Sequence, residues 1–105
     1  MPLTRDQLGL PEKVLLELQD ALANAGYVEP FTTAAAEAEA VVTSYTSAYT
    51  LAAAHLQRLQ RPLVIFDLYS KLGTIPEAVQ KAYDEAMKEL RDIRDGKFPG
   101  LTDAS

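Results

Sequence analysis

The chain has 105 residues, of which 48% are hydrophobic, and it carries a formal net charge of −5 and no cysteine. This length allows one domain with a modest core and excludes two, while the acidic balance excludes the basic surface that sequence-tolerant nucleic-acid binding requires. The missing cysteines exclude disulfides and thiolate chemistry and leave the redox compartment open. No run reaches the length of a membrane span and residues 1–10 lack the apolar core of a signal peptide, so we expect a soluble protein made in the cytoplasm.

Two helices are predicted in the first half of the chain. Pro11 opens the first, and Gly26 ends it. Its apolar face consists of Val14, Leu15, Leu18 and Leu22. Thr32 or Thr33 can cap the second helix, with Glu37 near the positive end of its macrodipole. The stripe of this helix consists of Ala34, Ala38, Val41, Val42, Tyr45 and Tyr49. Both helices are amphipathic and should pack against other elements.

The third segment contains Pro62, which leaves two interpretations open. Either a helix begins just before Pro62 and runs to Lys71, or a longer helix from Ala53 bends at the proline. We favour the shorter helix. The run from Leu63 to Tyr69 is apolar nearly all round, which suits a helix that is central to a bundle or buried against a neighbouring subunit. A buried strand would also fit this run, but the flanking helices and the length of the run favour a helix.

The last third of the chain has the strongest helical periodicity. A helix is predicted between Pro76, whose fixed φ suits a helix start, and Gly96, which offers a left-handed stop. Its apolar face consists of Val79, Tyr83, Ala86, Leu90 and Ile93. Beyond Gly96 periodicity is lost, and Phe98 and Leu101 stand among Pro and Gly residues, which suggests a docking peptide. We therefore predict an all-α fold, a small bundle of about four helices with an extended C-terminal tail.

Few residues offer catalytic or metal-binding chemistry. His55 is the lone histidine, and without a second His or Cys it predicts no metal site. Glu85 and Glu89 share one side of a helix among Lys81 and Lys88, which we interpret as solvated, mutually screened charges. The chain has neither a glycine-rich phosphate loop nor a serine elbow. We therefore expect no catalytic residue, no cofactor and no enzymatic activity.

The tyrosines on the apolar stripes could line a ligand pocket, but such residues more often bury the ring and direct the hydroxyl to the rim. We therefore predict that they form core or subunit interface, together with the apolar run of the third segment. The predicted core or interface residues are Tyr45, Tyr49, Ile65, Phe66, Leu68, Tyr69 and Tyr83.

Three stretches between Ala38 and Leu101 share an order and spacing with a known family. The positions are Ala38, Val41, Ser44, Tyr45 and Tyr49, then Ile65, Leu68 and Tyr69, then Pro76, Glu77, Val79, Tyr83, Ala86, Leu90, Ile93, Gly96 and Lys97. In these the chain resembles the small Mu-like virion proteins that belong with the head-tail connectors, or adaptors, of tailed bacteriophages. It departs from the family pattern before Ala38, and between Tyr49 and Pro62, where the family commonly has an Arg-Tyr followed by prolines.

The resemblance implies a structural role in the virion neck, for a protein made in the host bacterial cytoplasm. Residues 1–95 would form a helical connector domain and residues 96–105 an extended tail. Subunits would form a ring, expected to be dodecameric, under the portal protein, extending the DNA channel and meeting a neck or tail completion protein. DNA would pass only as non-specific cargo, and no membrane would be bound.

Two sets of residues follow from this implied role. The portal-binding tail would consist of Lys97, Phe98, Pro99, Gly100 and Leu101, disordered when free and ordered on binding. The candidate channel-lining acids, which would repel DNA phosphates, are Asp84, Glu85, Asp92 and Asp95. Ordinary solubility is the alternative explanation of these acids.

Other interpretations fit parts of the sequence. A small cytoplasmic helical protein-binding or regulatory protein, monomeric or dimeric, is compatible with the composition and would differ from a connector in assembly state. A helix-turn-helix DNA-binding module would need a basic recognition helix, which no segment supplies. The N-terminal third could be either a fourth bundle helix or an arm that grips a neighbouring subunit.

Overall fold

The computed structural model describes residues 2–100 and 102–103, with side chains described over 2–100. The helices in this part of the chain are a 3₁₀ helix (Arg5–Leu8), α1 (Glu12–Asn24), α2 (Pro30–Thr46), α3 (Ala53–Lys71) and α4 (Glu77–Arg94). Two short strands, β1 (Tyr49–Thr50) and β2 (Thr102–Asp103), pair antiparallel. The predicted all-α fold is confirmed. Within the described residues, no helix is long and apolar enough to cross a membrane.

The core lies where α2, α3 and α4 pack against one another, and α1 and the 3₁₀ helix pack on α3. Leu68, Leu90 and Ile93 are fully buried there. Leu22 of α1 is also fully buried. The N-terminal third therefore supplies a bundle helix within the single chain.

The predicted ends of α1 and α4 are confirmed. Pro11 and Pro76 stand at the N-caps, so neither proline removes a hydrogen bond from its helix. Gly26 and Gly96 follow the C-caps with φ of 92° and 73°. At the end of α4 the amide of Lys97 donates to the carbonyl of Asp92 over 2.8 Å, which closes a Schellman turn.

The predicted start and end of α2 are wrong. The helix begins at Pro30, ahead of Thr32 and Thr33, because proline at the first helical position has the required φ and no amide to leave unpaired. The helix ends at Thr46, so Tyr49 lies in β1 and is absent from the helical stripe.

The favoured short version of α3 is also wrong, since the helix runs continuously from Ala53 with Pro62 in its interior. A proline there removes the hydrogen bond to the carbonyl of Arg58 and costs about 3 kcal/mol. Leu59 and Leu63, on either side of the proline, are both buried. Full burial of a leucine contributes about 1.5–3 kcal/mol, so continuing the helix through the proline is favourable. The prediction that the apolar run is a helix is confirmed.

The C-terminal tail turns back onto the bundle. Phe98 is half-buried and packs against the core, and β2 pairs with β1 in the register Tyr49 with Asp103 and Thr50 with Thr102. The sequence predicted a tail without packed structure, because no periodicity follows Gly96. Leu101 lies outside the described residues.

Candidate functional site

The first residues of the tail lie where β1, the start of α3 and the end of α4 meet. The ring of Phe98 has its centroid 5.3 Å from that of His55. A Cβ on Gly96 would stand only 2.9 Å from the hydroxyl oxygen of Tyr49, so the glycine permits the close approach of β1. Lys97, Pro99 and Gly100 are exposed. Of the predicted portal-binding residues described here, Phe98 is therefore held by the bundle and the others face solvent.

A charged cluster lies beneath Phe98. Nε2 of His55 is 2.7 Å from Oε2 of Glu89, and Arg58 donates to the same carboxylate over 2.6 and 3.3 Å. Partial burial favours the neutral carboxyl, but the hydrogen bonds from Arg58 and His55 outweigh it and lower the pKa of Glu89. The cluster joins α3 to α4 at the point where the tail begins.

Sequence reasoning missed this cluster and treated Glu89 as a solvated charge among lysines. The available signal was the spacing of His55 and Arg58, which are three residues apart and so share one face of α3. Their pairing across helices could not be read without the packing of α3 on α4. Over the residues that the structure describes, no group of three His, Asp or Glu side chains could hold a metal ion.

The predicted core or interface residues divide into two groups. Leu68 is fully buried in the core. The other six, which are Tyr45, Tyr49, Ile65, Phe66, Tyr69 and Tyr83, are half-buried. Phe66 and Tyr83 stack across α3 and α4 with ring centroids 3.9 Å apart, and the guanidinium of Arg94 lies 5.1 Å from the ring centroid of Tyr45. These rings keep partly exposed edges that a neighbouring surface could cover.

The candidate channel-lining acids all lie on α4 or at its C-cap. Asp84 and Asp95 are exposed, and each has a local partner, Gln80 at 3.0 Å and Arg94 at 3.3 Å respectively. Glu85 is exposed and Asp92 half-buried. The exposed basic residues of the same helix are Lys81, Lys88, Arg91 and Arg94. Acidic and basic side chains are therefore interspersed along α4, which weakens the electrostatic field of either sign.

An apolar groove of about 310 Å³ runs between α3 and α4 and is called the α3/α4 groove below. Its lining residues are Leu10, Arg61, Pro62, Ile65, Ala78, Val79 and Ala82. Arg61 stands at its edge, with Nε donating to the carbonyl of Gln7 over 2.7 Å. Small alanines one turn apart on α4 leave the groove open, so another apolar side chain could enter.

A larger cavity of about 660 Å³ lies between the N-terminal segment and the start of α2. Leu3, Phe31 and Ala35 are among its lining residues, and Arg5 stands at its edge. The guanidinium of Arg5 is paired with Glu12 at 2.8 Å and Asp6 at 3.2 Å. This cavity therefore presents apolar surface, the paired guanidinium of Arg5 and the carboxylate of Glu29. Its lining shows no nucleophile paired with a base.

Comparison with known proteins identifies one family. Residues 5–103 match the family model described as Bacteriophage Mu, Gp36, whereas no curated protein and no solved structure matches the chain. The matched range includes the residues before Ala38 and those between Tyr49 and Pro62, where the sequence departed from the pattern we expected. The chain therefore belongs to the bacteriophage Mu Gp36 family and is a phage protein.

Proposed function

We propose that this protein is a structural component of the virion that acts as a head-tail connector, or adaptor. Subunits form a ring under the portal protein, extend the DNA channel and link the capsid to a neck or tail completion protein. Membership of the phage family over residues 5–103 is the observation that carries this proposal.

The distribution of apolar surface supports an assembling role. A subunit of a ring contacts two neighbours as well as the proteins above and below it, so it needs apolar surface beyond that of its own core. The half-buried aromatic residues and the α3/α4 groove supply such surface on a chain of only 105 residues. A monomeric regulatory protein would have less need of it.

The tail is the proposed contact with the portal. Phe98 is held against His55, while Lys97 and Pro99 next to it face solvent. A peptide that is already positioned loses less conformational freedom on binding than a disordered one, which favours affinity. The portal would therefore bind the exposed side of a tail whose other side is fixed by the bundle.

The acids of α4 have a proposed channel-lining role. A net charge of −5 would help DNA to pass without adhering. Basic side chains are interspersed among the acids on α4, however, so the repulsion would come from the summed charge of the ring rather than from one continuous acidic stripe. In this role DNA is passing cargo and contributes no specific contact.

The proposal is tested by co-purification with the portal protein encoded nearest to this gene. Three forms are compared: the full chain, a chain ending at Leu101 and a chain ending at Gly96, each with its complex mass determined. The chain ending at Leu101 keeps all five proposed portal-binding residues and removes β2, so it separates the strand pairing from the proposed portal contact. Thermal unfolding of each form checks that the bundle is intact.

We expect the full chain to bind with ring stoichiometry, and the chain ending at Gly96 to lose binding while still folding. If the folded full chain does not bind the portal and remains monomeric or dimeric, the connector proposal is wrong. That result would favour the small regulatory protein instead.

A further inference from the structure

A second groove, of about 190 Å³, is lined by residues of α2, α3 and α4. We call it the acidic groove, and its lining residues are Ala34, Glu37, Ala38, Val41, Leu63, Phe66, Asp67 and Tyr83. Its volume is below the roughly 300–1,000 Å³ that is typical of pockets for small molecules. The groove therefore suits a single side chain of a partner better than a whole ligand.

The walls of the acidic groove are apolar and partly aromatic. Ala34, Ala38 and Leu63 are buried, and the rings of Phe66 and Tyr83 stack with their centroids 3.9 Å apart. Val41 is 37% exposed, which makes it one of the few exposed large hydrophobic residues of the bundle. A side chain that entered the groove would cover this apolar surface, and removing that surface from water is favourable.

Both charged residues of the groove lining are acidic. Glu37 is exposed and belongs to none of the ion pairs among residues 2–100. Asp67 is paired with Lys71, which lies one turn later on α3 and is not a lining residue. The ammonium of Lys71 also lies 5.9 Å from the centre of the Tyr27 ring. Lys71 therefore offsets the charge of Asp67 from outside the groove and leaves that of Glu37 uncompensated.

The sequence around α2 strengthens the negative charge. Residues 14–54 contain five acidic residues and no lysine, arginine or histidine. The other ten acidic residues of the chain are balanced by its ten lysine and arginine residues, so this segment accounts for the net charge of −5. A surface that includes α2 should therefore attract a positively charged group.

The solvent-facing side of α2 extends the docking surface beyond the groove. Apart from Glu37, the exposed residues of this helix are uncharged and mostly small. They are Thr32, Thr33, Ala36, Ala40, Val41, Thr43 and Ser44. Partner residues on either side of an inserted side chain could pack here without burying an unpaired charge.

We propose that the acidic groove binds an arginine side chain of a protein partner, with apolar residues next to that arginine packing on Val41 and the adjoining surface of α2. The guanidinium lies against the aromatic wall and donates hydrogen bonds to the carboxylate of Glu37. Arginine fits better than lysine, because its planar group stacks on aromatic rings and donates to a carboxylate through two parallel hydrogen bonds.

This inference goes beyond the connector proposal. The acidic groove contains no residue of the C-terminal tail, so it is a separate docking surface from the proposed portal contact. Its test uses the protein by itself and needs no portal protein. The two proposals can therefore fail independently.

Two tripeptides with acetylated and amidated ends serve as probes. One carries arginine between two leucines, and the other carries citrulline, the neutral analogue of arginine, at the same place. Each is titrated into the full-length protein, and binding is followed by the NMR shifts of the backbone amides. We expect the arginine peptide to shift the signals of Glu37, Val41 and Asp67, and to bind about tenfold more tightly than the citrulline peptide.

Two matched pairs of variants locate the binding site. Glu37→Gln should weaken binding of the arginine peptide about fivefold, whereas Glu17→Gln makes the same change on α1 and should leave binding unchanged. Val41→Lys places a positive charge at the groove and should abolish binding, whereas Thr43→Lys adds the same charge to another side of α2 and should weaken binding far less. All four positions are exposed, and thermal unfolding confirms that each variant is folded.

Three results would overturn the inference. The first is equal binding of the two peptides, which would mean that the positive charge is not recognised. The second is a set of shifted signals that excludes the acidic groove. The third is an equal loss of binding for Glu37→Gln and Glu17→Gln, which would reduce the effect to the overall charge of the protein. None of these results bears on whether the chain forms a ring on the portal protein.

Discussion

The ring centroid of Phe98 lies 5.3 Å from that of His55, and His55 shares the carboxylate of Glu89 with Arg58. This relationship connects the tail to α3 and, through Glu89, to α4. A change in the tail that displaces Phe98 should therefore disturb the contacts between α3 and α4. The tail that we propose to bind the portal is thus connected to the bundle through these side chains.

Replacing Phe98 with alanine should destabilise the protein. Fully buried phenylalanines cost about 3–5 kcal/mol on truncation to alanine, and because Phe98 is only half-buried we expect about 1–2 kcal/mol. Urea unfolding monitored by circular dichroism measures the difference. Pro99→Ala, an exposed neighbour in the tail, is the control and should change stability little. Equal stabilities for Phe98→Ala and the natural chain would show that the ring does not pack on the bundle in solution.

Glu89 should make stability depend on pH in the acid range. Its pKa lies below the ordinary 4.5 because its hydrogen bonds to Arg58 and His55 outweigh partial burial. The unfolded chain therefore binds its proton at a higher pH than the folded chain does. The resulting stabilisation is complete above about pH 4.5 and is lost as pH falls through the lowered pKa.

Glu89→Gln should remove this dependence and cost about 1 kcal/mol at neutral pH, the range for a partly exposed charged hydrogen bond. Glu85→Gln, one turn earlier on α4 and exposed, is the matched control. Chemical unfolding at several pH values between about 3 and 7 measures both variants. The interpretation of Glu89 fails if the two substitutions give the same pH profile.

Gly96 and Gly73 form a matched pair for testing the contact of β1 with the end of α4. Both have positive φ, 73° and 82°, so alanine at either position should cost about 1–2 kcal/mol of backbone strain. A Cβ at Gly73 would meet nothing within 4 Å, whereas one at Gly96 would stand 2.9 Å from the Tyr49 hydroxyl. Gly96→Ala should therefore be the more destabilising in thermal unfolding. Tyr49→Phe removes the obstructing oxygen and should reduce the difference, and a difference that persists unchanged would contradict this contact.

The stacked rings of Phe66 and Tyr83 distinguish core from subunit interface. If they stabilise the single chain, a double-mutant cycle with alanine should give a coupling free energy of about 0.5–1.5 kcal/mol. The measurement is unfolding at a protein concentration at which the chain is monomeric. Coupling that appears only at concentrations where the protein self-associates would assign the stack to the interface.

The spacing of apolar residues and the prolines and glycines at the helix ends were sufficient to predict α1 and α4. The leucines of α1 and the stripe of α4 recur at helical spacing between a proline and a glycine, and both helices occur as predicted. The prediction for α3 was wrong because of its interior proline. The free-energy cost of Pro62 in a helix can be inferred from sequence, whereas the burial of Leu59 and Leu63 that offsets it depends on tertiary packing.

The candidate sites were harder to predict from the sequence, since they depend on pairs of residues from different helices. His55 lies 34 positions from Glu89, and no local pattern relates them. The positive φ of Glu29 could not be predicted either, because it exists only in the folded backbone. Sequence analysis predicted that Phe98 belongs to a docking tail, but could not show that the bundle would hold the ring.

The most direct test of the connector role is complementation of heads from a phage that lacks this protein. DNA-filled heads are prepared from a deletion strain, mixed with purified tails and completion proteins, and titrated with the purified chain. The account predicts that tails fail to join without the protein, that adding it restores infectious particles, and that it remains in their necks with ring stoichiometry. Normal joining of heads and tails in the absence of the protein would contradict the central claim.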